Sequence, residues 1–140
     1  MVTNISSIKI NASLRKVWDI INKPEFVKLW QYGSDLQTNW KVGSKIKFVT
    51  EWEGEIFEQW GTVLEFTPTS KLRYSLFAPR PDLEDKPENY FEMIYSLTAD
   101  NGQTKLEIIQ KDNRPNAVKE DEQDGENPIL SMLKQIAERN

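Results

Sequence analysis

The apolar residues of the chain change period several times, and each change marks an element. From Ile5 to Ile10 they partly alternate, with Ile8 and Ile10 on one face, which predicts a first strand. At Leu14 the spacing becomes helical: Leu14, Val17, Trp18 and Ile21 fall on one face, and Ser13 is placed to cap the N-terminus. Asn22-Lys23-Pro24 ends this helix, because proline disfavours helix in the residue before it. The same proline can open a second short helix, buried by Phe26, Val27 and Trp30.

From Trp40 onward the period is two. Ile46, Phe48, Thr50 and Trp52 share one face of a strand, with Lys45, Lys47, Val49 and Glu51 on the other. Glu53-Gly54 predicts a hairpin turn, after which Ile56, Trp60, Leu64 and Phe66 are expected on one face down to the break at Pro68. The strand Leu72, Tyr74, Leu76 follows, then a long surface loop from Pro79 to Pro87. Alternation resumes at Phe91, Met93, Tyr95 and Leu97, turns through Asn101-Gly102 and returns as Leu106, Ile108 and Gln110. Asp112 to Glu126 is acidic and polar and reads as loop or irregular helix. Asn127-Pro128 starts a final helix with the stripe Ile129, Leu130, Leu133, Ile136 and Ala137, Met132 lying at its margin.

This order predicts an α+β fold: an antiparallel sheet of about six strands, curled by strand twist, wrapped around a long C-terminal helix, with two short helices after the first strand. Such a sheet and helix leave room for an apolar pocket. Candidate lining residues are Trp30, Phe48, Trp52, Trp60, Tyr74, Phe91, Met93 and Tyr95, joined from the last helix by Met132, Leu133 and Ile136. The same residues also suit a core filled by side chains, since periodicity alone does not separate the two.

Composition narrows the chemistry. The length of 140 residues fits one domain, 1–140. With 18 basic and 22 acidic residues the net charge is -4, which leaves no electrostatic footprint for nucleic acid. There is no cysteine, so disulfides and thiolate chemistry are excluded, and no histidine, the usual general base and commonest metal ligand. Met1 to Ile10 holds no apolar core of signal-peptide length, and no apolar run approaches the ~20 residues of a membrane span. A cytoplasmic protein is expected.

The remaining charged groups read as surface. Glu120-Asp121-Glu122 with Asp124 and Glu126 lacks calcium-loop spacing and fits a solvated run, so no metal is expected. Glu51 and Glu53 share the outward face of their strand. Glu55 and Glu58 form another close pair; Glu58 falls on the inward parity but near a hairpin end where water reaches it, and Glu92 falls outward. Arg73 and Arg80 flank the turn into the proline-rich loop and read as surface charges. Gly43, Gly54, Gly61 and Gly102 show no phosphate-cradle spacing, and no cofactor is expected.

Trp40-Lys41-Val42-Gly43-Ser44, Phe48, Gly61-Thr62-Val63-Leu64-Glu65-Phe66, Pro68 and Leu72-Arg73-Tyr74 together resemble the START-like, or SRPBCC, superfamily. Val17-Trp18-Asp19, Pro24 and Trp30 match the same pattern, so the resemblance runs from Ile5 to Glu138. Within the superfamily the chain resembles proteins related to the C-terminal domain of the activator of the ninety-kilodalton heat-shock protein ATPase. The resemblance implies a helix-grip fold with a deep hydrophobic cavity, in a group that includes lipid and polyketide binders, a few cyclases and hydrolases, and co-chaperones. Where this family often carries a Gly-Trp pair, this chain has Glu126-Asn127-Pro128-Ile129. At 140 residues the chain is expected to correspond to that C-terminal domain alone, without the N-terminal domain of a full ATPase activator.

Three functions compete at this point. The first is a binding protein for a hydrophobic small molecule, lipid-like or aromatic. The second is a cyclase or hydrolase using cavity tyrosines and carboxylates, which requires Glu58 within hydrogen-bond reach of Tyr74 or Tyr95. The third is a co-chaperone-like interaction module with a chaperone or other protein partner, which requires an exposed apolar patch. Without histidine or cysteine, binding leads and no catalytic residue is assigned. Ligand identity and oligomeric state lie beyond the sequence.

Overall fold

The computed structural model describes residues 2–31, 33–112, 114, 123–124 and 128–139. The acidic residues Glu120, Asp121, Glu122 and Glu126 and the expected cap Asn127 lie outside the described residues, and of Asp124 only the backbone is described. Strand β1 (Val2–Ile10) leads into helices α1 (Leu14–Asn22) and α2 (Pro24–Trp30), then strands β2 (Asp35–Gln37), β3 (Lys45–Trp52), β4 (Glu55–Thr67), β5 (Lys71–Leu76), β6 (Phe91–Asp100), β7 (Gln103–Asp112) and β8 (Gln123–Asp124), and helix α3 (Pro128–Glu138). The strands form one curved 8-stranded sheet in the order β2-β3-β4-β5-β6-β7-β1-β8. All neighbours are antiparallel except β1 and β8. The expected α+β helix-grip fold is therefore present, enlarged by two short edge strands, β2 and β8.

Local chemistry explains the boundaries. Ser13 Oγ accepts the Lys16 backbone N–H at 3.2 Å and caps α1, while Pro24 sits at the first turn of α2. The hairpin turns Glu53-Gly54 (φ 51° and 79°) and Asn101-Gly102 (φ 51° and 84°) have two successive left-handed residues, the geometry that matches strand twist.

The core lies between the concave sheet face and the helices. Val17, Trp18 and Ile21 of α1, Val27 and Trp30 of α2, and Leu130, Leu133 and Ala137 of α3 are buried against Ile10, Ile46, Val63, Leu72 and Leu106. Trp40 turns into this core with φ 59°; its ring stacks on Phe66 at 5.2 Å and its Nε1 donates to Asn22 O at 2.9 Å. The end of α3 is fastened to β1 by polar contacts: Lys134 Nζ donates to Lys9 O at 2.9 Å, and Glu138 Oε2 accepts the Asn11 N–H at 2.8 Å. Buried Thr104 is satisfied by donating to Ala12 O at 2.8 Å.

One expectation fails, for a definite reason. Val63 lies opposite Tyr74 and Glu65 opposite Arg73, so Leu64 is an extra residue, a β-bulge. Below the bulge, Gln59 and Gly61 oppose the buried Phe48 and Ile46 and share their inner face. Ile56, Glu58 and Trp60 therefore point to the outer face, while Phe66, beyond the bulge, points inward opposite Leu72. The shared face expected for Ile56, Trp60, Leu64 and Phe66 does not exist.

Candidate functional site

The candidate site is a pocket of about 180 Å3 between α3, α2 and the concave faces of β1, β6 and β7. Its apolar walls are Trp30, Met93, Tyr95, Ile108, Ile129 and Leu130, and its polar lining comes from Asn4, Ser6, Gln31 and Gln110. Register explains the convergence: Met93 pairs with Gln110, Tyr95 with Ile108, and Ser6 with Ile108, so all of them project from one sheet face. Trp30 closes the α2 side, its indole N–H donating to Ile20 O at 2.9 Å and its ring 6.2 Å from Tyr95.

Two polar atoms give the pocket chemistry. Gln31 Oε1 is buried without a hydrogen-bond partner, a state that costs free energy unless something supplies a donor. The Tyr74 and Tyr95 hydroxyl oxygens lie 3.5 Å apart, a long contact that leaves the Tyr95 hydroxyl with hydrogen-bonding capacity to spare. Burial pushes both phenols up, Tyr74 well above its ordinary value with a further rise from Tyr95, so both stay neutral. Gln31 and Tyr95 thus contribute a free acceptor and a neutral hydroxyl to a lining that includes the apolar Trp30 and Met93.

The structure disperses the other residues singled out in the sequence. Phe48, Tyr74, Leu133 and Ile136 are buried core, with Phe48 and Tyr74 ring centroids 5.6 Å apart. Phe91 packs at the core edge beneath the Arg114 guanidinium, 4.4 Å above its ring. Met132 is exposed, and Trp52, on the inner face but at the hairpin tip, is 66% exposed. Trp60 lies on the outer face, removed from the pocket by the bulge. Gln31 and Asn4 carried no sequence signal, because a polar residue at a helix end or strand start normally faces water.

The catalytic arrangement is not formed. Glu58 points outward, is 42% exposed at its side chain and pairs with Lys47 at 3.1 Å, so it reaches neither Tyr74 nor Tyr95. Arg73 is held on the outer face between Glu65 at 3.0 Å and Glu92 at 2.7 Å. Among the described residues no helix is long and apolar enough to cross a membrane, and no cluster of acidic side chains forms a metal site.

The family model described as activator of Hsp90 ATPase homolog 1-like protein matches residues 11–138. The chain belongs to this family. It is similar to the solution structure of ChR145 from Cytophaga hutchinsonii, with 30% identity and TM-score 0.66 over 97% of this chain and 87% of that one. The fold is shared with CV1439 from Chromobacterium violaceum, with 18% identity and TM-score 0.77 over 99% and 98% of the two chains. A third similar structure is the Aha1 dimer from Colwellia psychrerythraea, with 18% identity and TM-score 0.61 over 84% and 81%. No curated protein matches the sequence. An Aha1-like fold of this kind is a START-like ligand-binding or co-chaperone-type module.

Proposed function

We propose that the chain binds a compact apolar or amphipathic small molecule, lipid-like or aromatic, in the pocket beneath α3. The observation that carries this reading is the partnerless, buried Gln31 Oε1 on the pocket wall. A ligand bearing a hydroxyl or N–H satisfies it, and Tyr95 can donate in return. The volume of about 180 Å3 exceeds the roughly 150 Å3 that suffices for a benzene ring, so one ring or a short branched chain fits.

The test is an NMR titration with benzyl alcohol and toluene, followed at the Met93 methyl and Tyr95 ring. Saturable shifts are expected, with the alcohol preferred, and Gln31→Leu removes the preference. Absence of saturation with either compound sinks the proposal.

A second reading, protein interaction, is favoured by one feature. Trp52, Ile56 and Phe57 are 66%, 67% and 50% exposed on one hairpin, flanked by Glu51, Glu53 and Glu55. Trp52 and Phe57 share one face of this tip and Ile56 stands on the other, and an apolar tip rimmed by acids suits a protein surface that is apolar with a basic rim. The similar Colwellia protein is a dimer. Light scattering of this chain distinguishes self-association from a foreign partner, because acids at both tips oppose tip-to-tip pairing.

A further inference from the structure

The outer face of β3 and β4 holds a groove of about 640 Å3, within the roughly 300–1,000 Å3 typical of small-molecule sites, which the pocket beneath α3 does not reach. Its wall is Trp60. Trp60 and Phe77 exchange both backbone hydrogen bonds, at 3.2 and 2.7 Å. Their ring centroids are 5.5 Å apart, and Phe77 lies 5.4 Å from Tyr90, so three aromatic rings cluster outside the main core. Asp85 fastens the cluster: its two carboxylate oxygens accept from Trp60 Nε1 at 3.0 Å and from the Tyr90 hydroxyl at 2.6 Å. Both ring planes are thereby fixed before any ligand arrives, which lowers the ordering cost of binding.

The charges beside this wall are asymmetric. Lys47 lies opposite Trp60 in the strand register, and its ammonium is held by Glu58 at 3.1 Å. Lys45, opposite Thr62, is exposed and forms no ion pair among the described residues. Asp85 does not line the groove. Beside the Lys47–Glu58 pair, which also lines it, the groove thus presents a fixed indole face, the Thr62 hydroxyl and the uncommitted cation Lys45, on a chain whose net charge of -4 offers anions no general attraction.

We infer that this groove is a second binding site, separate from the pocket beneath α3, for a planar aromatic anion whose ring lies on Trp60 and whose charge meets Lys45. The bulge at Leu64 is what creates it, by turning Trp60 outward. An ordinary surface tryptophan would need neither the Asp85 clasp nor a neighbouring groove of this size.

The test is titration of the whole chain with naphthoate, and separately with neutral naphthylmethanol, followed by proton–nitrogen NMR of the tryptophan indoles. The Trp60 signal, assigned by Trp60→Phe, is expected to shift saturably with naphthoate. Lys45→Gln is expected to weaken naphthoate about tenfold and leave naphthylmethanol unchanged. Gln31→Leu, in the other pocket, is expected to leave naphthoate binding as it is. The inference is overturned by an absence of saturable shift at Trp60, by shifts confined to Trp30, or by equal naphthoate affinity in Lys45→Gln. Because Lys45 is exposed, that variant folds whatever the fate of Trp60→Phe.

Discussion

The ribbon formed by β3 and β4 has two ends with similar residues and opposite fates. At one end Ile46 and Val63 are fully buried and Phe66 packs between Trp18 and Trp40, at 5.1 and 5.2 Å. At the other, Trp52, Ile56 and Phe57 stand in water. Covering a side chain of this size is worth about 1.5–3 kcal/mol, so the tip forgoes a substantial gain three times over. The difference is coverage. The helices pack mainly against β1, β2, β6 and β7, and the ribbon tip extends past them. Hydrophobic pattern marks which residues are suited to burial; the placement of the helices decides which of them obtain it.

The comparison breaks most severely if the cover is loosened. Leu133 on α3 is fully buried, and Leu133→Ala is expected to cost about 2–5 kcal/mol, read from the urea midpoint. A loss close to zero would mean that α3 does not hold the sheet. Next in size is Gly61→Ala, where the ribbon meets β5. A Cβ there would lie 1.8 Å from Ser75 O, so the two strands must part, at about 1–3 kcal/mol or more. An unchanged melting temperature in this variant would refute the close approach of the two backbones.

Much of this contrast was legible in the sequence, but not its pivot. The turns Glu53-Gly54 and Asn101-Gly102, the Ser13 cap and the α3 stripe follow from local rules, because each depends on residues within a few positions of one another. The bulge at Leu64 does not. Val63 and Leu64 are equally apolar, and which one faces inward is decided by pairing with Tyr74 on another strand. One residue of slip moved Trp60 and Glu58 to the outer face, taking Trp60 from the expected pocket and Glu58 from its expected inward parity. The edge strand β2 was invisible because three residues show no period. Gln31 was invisible because its meaning lies in the missing partner.

A smaller effect is expected at a buried carboxylate. Away from the ribbon, at the end of β7, Asp112 is buried, and its oxygens accept from Arg114 Nε at 2.9 Å, Nη2 at 2.7 Å and backbone N at 3.0 Å. The side-chain hydrogen bonds from Arg114 hold this carboxyl below its ordinary value, against the opposing effect of burial. With the folded value depressed, the unfolded chain binds the proton first. The contribution is therefore full above the unfolded value and is lost as pH falls through the folded one. Asp112→Asn should lower stability at neutral pH and flatten the acid limb of a urea-midpoint profile. A parallel drop at every pH would instead mean that packing, and not charge, is what Asp112 supplies.

The smallest effect is expected at the tip, and its smallness is what makes it informative. Thr50 opposes Phe57, Glu51 opposes Ile56 and Trp52 opposes Glu55, so each apolar residue there loses only a cross-strand neighbour when replaced. Threonine keeps the strand preference of the residue it replaces. Trp52→Thr, Ile56→Thr and Phe57→Thr should each change stability by about 0.5 kcal/mol or less in thermal unfolding. Stability bought by burial would fall with each substitution, so a loss of several kcal/mol would show the tip to be packed and erase the contrast between the two ends of the ribbon. If stability holds, residues this apolar remain at the tip without contributing to folding, and binding is the property left for the triple variant to abolish.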